Sequence, residues 1–284
     1  MTATTRQTSS GPLQAAEAPI KPRPRNPRLR RGIVNRLSQL GVITLVLGAW
    51  QVAAASGQLG AVPTPLVVAG AVLGLVVDGS VWGPLAETLA SWFISLLMAV
   101  LVGVVIGFPL GVSKVAYRMS VVTLDFLRTI PALVFVPLVV LLYGAGLQST
   151  ILLAFFGAVW AMVMQTIYGA RDLDPVARDT FRSFGVRRWD TVTRLLLPTA
   201  LPYMATGVRL SAAICLLISI SAQIVMPAGG FGEQIVVHQL GGALPQMFAY
   251  IALCGVLGMA IDSMFRWLER SVLAWHPSHR KVSS

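Results

Sequence analysis

Six apolar runs, each long enough to cross a bilayer, set the terms for this chain. A membrane helix needs about 20 mainly apolar residues. The stretches at 33–56, 85–112, 119–143, 147–168, 203–226 and 247–267 all meet that length. None alternates with period two over a barrel strand's length, so a membrane β-barrel is excluded. Composition agrees: 55% of the 284 residues are hydrophobic and only 12% are charged, where a soluble domain carries about 25% charge. A soluble enzyme, a disordered protein and a disulfide-stapled secreted domain are therefore ruled out. Cys215 and Cys254 both fall inside apolar runs. They read as buried free thiols rather than a disulfide or a thiolate metal site.

The net charge of +11 is placed, not spread. With six spans and the amino end inside, nearly all Lys and Arg fall before the first span, in the connections at 113–118 and 169–202, or in the tail. The exceptions, Arg128, Arg209 and Arg266, lie near the inner ends of spans three, five and six. The outer segments hold Asp78 and Glu233, with Glu87 at the outer start of span two. This is the positive-inside pattern. A seventh span at the apolar stretch Val67–Val77 would turn the basic 171–194 connection outward, so that stretch is expected outside, on or near the membrane surface. The basic excess orients the chain beside anionic lipid, and nucleic acid is not expected as a partner. Residues 1–32 read as a disordered basic cytoplasmic arm, not a cleaved signal peptide. Residues 276–284 read as a cytoplasmic tail.

One inner loop, 169–201, is long and has helical patterning of its own. Asp174-Pro175 supplies an N-cap and a first-turn proline. Val176, Thr180, Phe181 and Phe184 follow at helical spacing, and Gly185 supplies a stop or sharp turn. A second segment carries Trp189, Val192, Leu195 and Leu196 on one side, and Pro198 and Pro202 are expected to break the chain before span five. Two short amphipathic helices hinged at a glycine either lie on the bilayer as an anchor or offer an apolar knob to a soluble partner's groove.

The stretch Asp179-Thr-Phe-Arg-Ser-Phe-Gly185, followed by Leu195-Leu-Leu-Pro198, resembles the cytoplasmic loop signature of binding-protein-dependent ABC importer permeases, with matching spacing. The continuation Pro198-Thr-Ala-Leu-Pro202 through Gly207-Val-Arg209 is similar to the nitrate/sulfonate/taurine branch. So are Phe126-Leu-Arg128-Thr-Ile-Pro131, Gly229-Gly-Phe-Gly232 and Gly258-Met-Ala-Ile-Asp262. The resemblance covers about residues 33–276. It implies an all-α, six-helix permease of the type I importer fold in a bacterial inner membrane, with both termini cytoplasmic. It also implies a second permease copy or a paralogous permease, separate ABC ATPase subunits that use ATP and Mg, and an extracytoplasmic substrate-binding protein. The coupling residues would be Val176, Asp179, Thr180, Phe181, Phe184, Gly185 and Pro198. Asp179 stands where the family has Glu, and Thr180-Phe181 stand where it has Ala-Ala. The knob is thus bulkier than the family's norm, which favours pairing with a different second permease.

The chain is not expected to hydrolyse ATP. Gly107-Phe-Pro-Leu-Gly111-Val-Ser-Lys114 misses the Gly-x-x-x-x-Gly-Lys-Ser/Thr spacing of a phosphate loop. Gly103, Gly107 and Gly111 instead repeat every four residues, as small residues do where helices approach closely. No bound cofactor or metal is expected; His238 has no metal-ligand partner near it in sequence.

Arg128, Pro131, Phe135, Pro137, Ser219 and Gln223 are the expected path or gate residues. Asp125 and Arg128, three apart, can pair. Pro131 and Pro137 free backbone carbonyls, so span three either bends as a gate or carries a static kink. Gln223 stands where the family often has Glu; it either removes negative charge from the path or bonds between helices. Arg209 is expected to snorkel or to bind loop carbonyls, and Asp262 to pair with Arg266. Phe231, Gly232 and Glu233 either meet a binding protein or form a plain turn. A membrane-embedded enzyme would need convergent catalytic groups, and a secondary transporter would need paired repeats with midplane carboxylates. Neither pattern is evident. The expected function is an importer permease for a small anionic or polar organic solute.

Overall fold

The computed structural model describes residues 27–272, with side chains described at Ser38 and from Gly41 onward except at positions 178, 182, 188 and 272. The expected tail at 276–284 and residues 1–26 of the expected arm lie outside the described residues. No strand occurs among the described residues.

The chain divides after Trp50. The first part holds most of α1 (Pro27–Ala55), a 29-residue helix. Pro27 suits a first helical position, where no N–H is needed. The helix therefore starts within the last residues expected to be arm. Val42, Ile43, Leu45 and Val46 are exposed on the apolar second half of this helix, Gly41–Ala55.

The second part, from Gln51, holds the other elements. α2 (Pro65–Val77) follows Thr64, whose side chain caps the Val67 N–H. Its 13 residues reach about 20 Å, too short for a hydrocarbon core of about 30 Å. α3 (Trp82–Val112), α6 (Leu147–Arg171) and α9 (Leu197–Val225) form the central layer, with α6 in the middle. Close approach is possible because the facing residues are small. A Cβ on Gly103 would lie 2.6 Å from the Met162 Cβ, one on Gly107 2.7 Å from the Thr166 Cβ, and one on Gly111 2.5 Å from the Ala170 Cβ. Helices in lipid gain little from apolar burial and depend on such dispersion contact. On the other side of α6, Ser211 Oγ donates to the Ala158 carbonyl at 3.1 Å. Gly169 and Gly207 let Tyr203 and Gln165 sit against the opposing backbone. Trp92, Leu96, Ala99, Val163, Ile167 and Ala212 fill the core between the three helices.

The expected third span is not one rod. α4 (Lys114–Leu127) and α5 (Val136–Tyr143), the latter led in by a 3-10 turn at Ala132–Phe135, meet at 74°. Pro131 carries no N–H and pushes its predecessor toward extended backbone, so the helix ends before it. Pro137 breaks nothing: it occupies the first turn of α5, where proline is tolerated. Among the described residues four helices are long and apolar enough to cross a membrane, and a fifth crossing results if the bent α4–α5 pair counts as one.

Span five also differs from expectation. α7 (Pro175–Ser183) and α8 (Arg188–Thr191) are the loop helices. α8, however, runs without interruption through a wide π-helical turn at Val192–Leu196 into α9. Pro198 would clash with the carbonyl four residues back in a regular helix. The wider turn, in which the Leu197 N–H bonds Val192 O, takes up that conflict. Pro202 lies inside α9, so neither proline breaks the chain.

α10 (Gly230–Leu240) and α11 (Leu244–Val272) complete the fold. Phe231, Tyr250, Ala249, Leu75 and Val81 form a second core beside α2.

Candidate functional site

The loop between α6 and α9 is built as an elbow. Asp174 Oδ1 accepts the Val176 N–H at 2.9 Å and caps α7. At the other end Gly185 has φ +65, the left-handed region that a side chain resists. The Val186 N–H then reaches back to Phe181 O at 3.1 Å, a six-to-one closure that stops the helix and reverses the chain. Large apolar side chains stand out around this turn: Val176 is 71% exposed, Phe184 81% and Trp189 75%. Asp179 and Thr180 are also exposed, and Phe181 is half-buried. Thr180 Oγ1 turns back to the Val176 carbonyl at 2.8 Å. Pro198 lies half-buried after the π turn, where it lines a cleft with Asp172, Arg194, Tyr203 and Thr206. A cluster of exposed apolar side chains on a polar loop marks a surface meant to be covered.

The loop's root is fixed. Tyr203 Oη donates to Asp172 Oδ2 at 2.7 Å, and the Arg171 guanidinium lies 3.9 Å above the Tyr117 ring, a cation–π contact.

Along the bent third segment, Arg128 pairs with Asp125 at 3.0 Å, both about half exposed. Phe135 meets Phe156 edge to face at 5.0 Å. Pro131 is exposed.

Ser219 and Gln223 face the interior of this chain. Gln223, 1% exposed, accepts the Thr88 hydroxyl and the Gly232 N–H, each at 3.2 Å, and donates to Ser91 Oγ at 3.4 Å. The Glu87 carboxylate takes the Gly230 N–H at 2.6 Å, Thr88 Oγ1 takes the Phe231 N–H at 2.9 Å, and Glu233 takes the Gly229 N–H. The free N–H groups that open any helix are thus held at α10 by α3, α9 and α10 itself. Of the two readings of Gln223, hydrogen bonding between helices is the one its contacts display. Phe231 is buried against Tyr250, so it forms no outer contact surface. His238 stacks on Tyr250 at 5.5 Å between ring centres.

Arg209 does more than its sequence position suggested. Its Nε donates to Asp262 Oδ1 at 3.0 Å, and Nη1 lies 3.6 Å from Glu269 Oε2. Asp262 also pairs with Arg266. The i, i+4 pair was legible; a partner 53 residues away was not.

The sequence pattern of the family described as "Binding-protein-dependent transport system inner membrane component" matches residues 99–274. SsuC of Bacillus subtilis (strain 168), named as an aliphatic sulfonates transport permease protein, is 29% identical over 237 residues, 83% of this chain and 86% of its own. The taurine transport system permease protein TauC of Escherichia coli (strain K12) is 25% identical over 203 residues, 70% of this chain and 73% of its own. Among solved structures, an inward-facing form of the MetNI methionine ABC transporter superposes with a TM-score of 0.60 at 22% identity. That match covers 70% of this chain and 96% of the other.

Proposed function

The chain belongs to the family of binding-protein-dependent transport system inner membrane components, and on that premise we propose that its α7–Gly185 elbow is the site where a partner ATPase grips it. As a family member it is a multi-pass membrane permease subunit of an ABC importer, and hydrolysis of ATP belongs to a partner ATPase.

The observation that carries it is the exposed apolar set Val176, Phe184 and Trp189 around a left-handed glycine. α8 and α9 then form one continuous helix from that elbow into the membrane core. A push on the elbow therefore reaches α9 through a rod. ATP-driven approach of two ATPase subunits would move two such rods, one per permease, and alternate the path between outward and inward access. Asp179 and Thr180 stand exposed on α7 to contact the ATPase, Phe181 backs the knob, and Pro198 seats the π turn. The topology that fits is six spans with both termini and the elbow cytoplasmic. The second permease is another copy or a paralogue, and a binding protein delivers solute from outside.

The bend at Pro131, with Arg128 and Phe135 on either side and Pro137 opening the next helix, is the reading for the gate. Ser219 and Gln223 brace the path wall from behind. The solute is a small organic anion of the sulfonate type, as the names of SsuC and TauC suggest for this branch.

Uptake by proteoliposomes carrying permease, ATPase and loaded binding protein tests this. ATP-dependent accumulation of an aliphatic sulfonate is expected, with Phe184→Glu lowering it at least tenfold. Equal uptake by wild type and Phe184→Glu would remove the elbow from the mechanism.

A further inference from the structure

We propose that Arg209 is a positioning residue that makes α11 follow α9 when the elbow moves; this rests on the coupling reading above. Among the described residues there are five ion pairs, and those of Arg209 with Asp262 and Glu269 are the ones that join different helices. The others are local, at three or four residues' separation along one helix.

The surroundings explain why such a tie matters. α9 and α11 run side by side with an apolar groove of about 400 Å³ between them, walled by Leu216, Leu217, Ile220, Gly255 and Gly258. A Cβ on Gly258 would still be 3.7 Å from the Leu216 side chain, so the walls do not interlock there. At one end of the groove the helices are linked through α10, where Phe231 packs on Tyr250 and the Gln223 bracket holds the α10 start. At the other end, nearer the elbow, Arg209, Asp262 and Phe265 close it. Phe265 meets Trp92 of α3 edge-on at 6.4 Å, so that contact does not join α11 to α9. The Arg209 guanidinium does: two of its nitrogens face two carboxylates placed seven residues, or two turns, apart on α11. A planar fork held at two points fixes direction as well as distance. Arg266 on Asp262 holds the acceptor in place.

The side chains of Arg209 and Asp262 are 41% exposed, so the tie adds little to stability. Its effect is on register. Arg209 lies 12 positions past Leu197 on the rod that starts at the elbow, about 18 Å along its axis. A shift of that rod pulls α11 with it through this fork.

The test uses the whole reconstituted importer and reads solute moved per ATP hydrolysed. Arg209→Gln is expected to lower that ratio at least fivefold. Arg209→Lys, which keeps the charge but not the planar fork, is expected to fall between wild type and Arg209→Gln. A role confined to folding would lower the yield of complex and leave the ratio of the assembled fraction unchanged. An unchanged ratio in Arg209→Gln overturns the assignment. Should that variant not assemble, the ratio in Asp262→Asn decides in the same way. Wild-type complex whose ATP hydrolysis ignores loaded binding protein would sink the coupling reading itself; stimulated wild type with an unchanged variant ratio would sink the Arg209 assignment alone.

Discussion

Tyr203 and Asp172 stand 31 residues apart in sequence, yet the tyrosine hydroxyl donates to the carboxylate at 2.7 Å and closes the root of the elbow. The loop therefore leaves the helical layer and returns to it at one pinned point. A pinned root lets a force on the tip turn into displacement of α9 rather than into slack.

Removing the pin should separate stability from coupling. Tyr203→Phe keeps the ring in place and loses one exposed hydrogen bond, which costs about 0.5–1.5 kcal/mol. Thermal unfolding in detergent should hardly change, while ATP hydrolysis stimulated by loaded binding protein should fall several-fold. Unaltered stimulation would show that the root needs no pin.

The glycine at the elbow makes a conformational prediction. Gly185 has open space around a would-be Cβ, so only its φ of +65 resists substitution. Gly185→Asn should be well tolerated, because asparagine visits this region readily, whereas Gly185→Val should strain the turn by about 1–2 kcal/mol. The ordering to look for in stimulated ATP hydrolysis is wild type, then Asn, then Val. A valine variant as active as wild type would mean the turn need not be left-handed.

Helix packing can be tested with a matched pair. A Cβ on Gly107 would meet the Thr166 Cβ and the Val163 carbonyl at 2.7 Å, while one on Gly74 would meet nothing within 4 Å. Gly107→Ala should destabilise by about 1–3 kcal/mol, since a backbone atom cannot move aside. Gly74→Ala should keep or raise the unfolding temperature, because alanine is the better helix former.

The Gln223 bracket gives a third contrast. Gln223→Leu strands the Gly232 N–H and leaves the Thr88 hydroxyl proton without its acceptor, an expected loss of about 1–3 kcal/mol for each buried group left unpaired, while Ser91 keeps its bond to the Thr88 carbonyl. Gln223→Glu keeps an acceptor for Thr88 and Gly232 but loses the amide N–H to Ser91 and adds the cost of burying an acid. It should sit between wild type and the leucine variant in thermal unfolding. Equal stability for both variants would mean the bracket is not holding α10.

Much of this was legible in the sequence because the signals are local. Apolar runs gave the long helices, the four-residue glycine spacing gave a close-packing face on α3 though not its partner α6, and Asp174-Pro175 with Gly185 gave both ends of α7. The rest depended on contacts between distant residues or on how the backbone resolves a conflict. Pro198 read as a break because its clash is local, but the π turn that relieves it forms only with the helix continued on both sides. Pro131 and Pro137 looked alike in sequence; one ends α4 and the other starts α5. Gly229-Gly-Phe-Gly232 read as a contact or a turn because nothing nearby shows that Glu87 and Thr88 cap it from 143 residues away. Arg209 was read alone for the same reason.

The most direct test of the elbow as the gripping point is cross-linking in the assembled importer. Phe184→Cys at the elbow and Trp82→Cys at the start of α3, both exposed positions, would be treated with a short thiol-to-amine reagent. A docked elbow gives an adduct between Phe184→Cys and the ATPase subunit and none from Trp82→Cys. An ATPase adduct from Trp82→Cys, with none from Phe184→Cys, would contradict it outright.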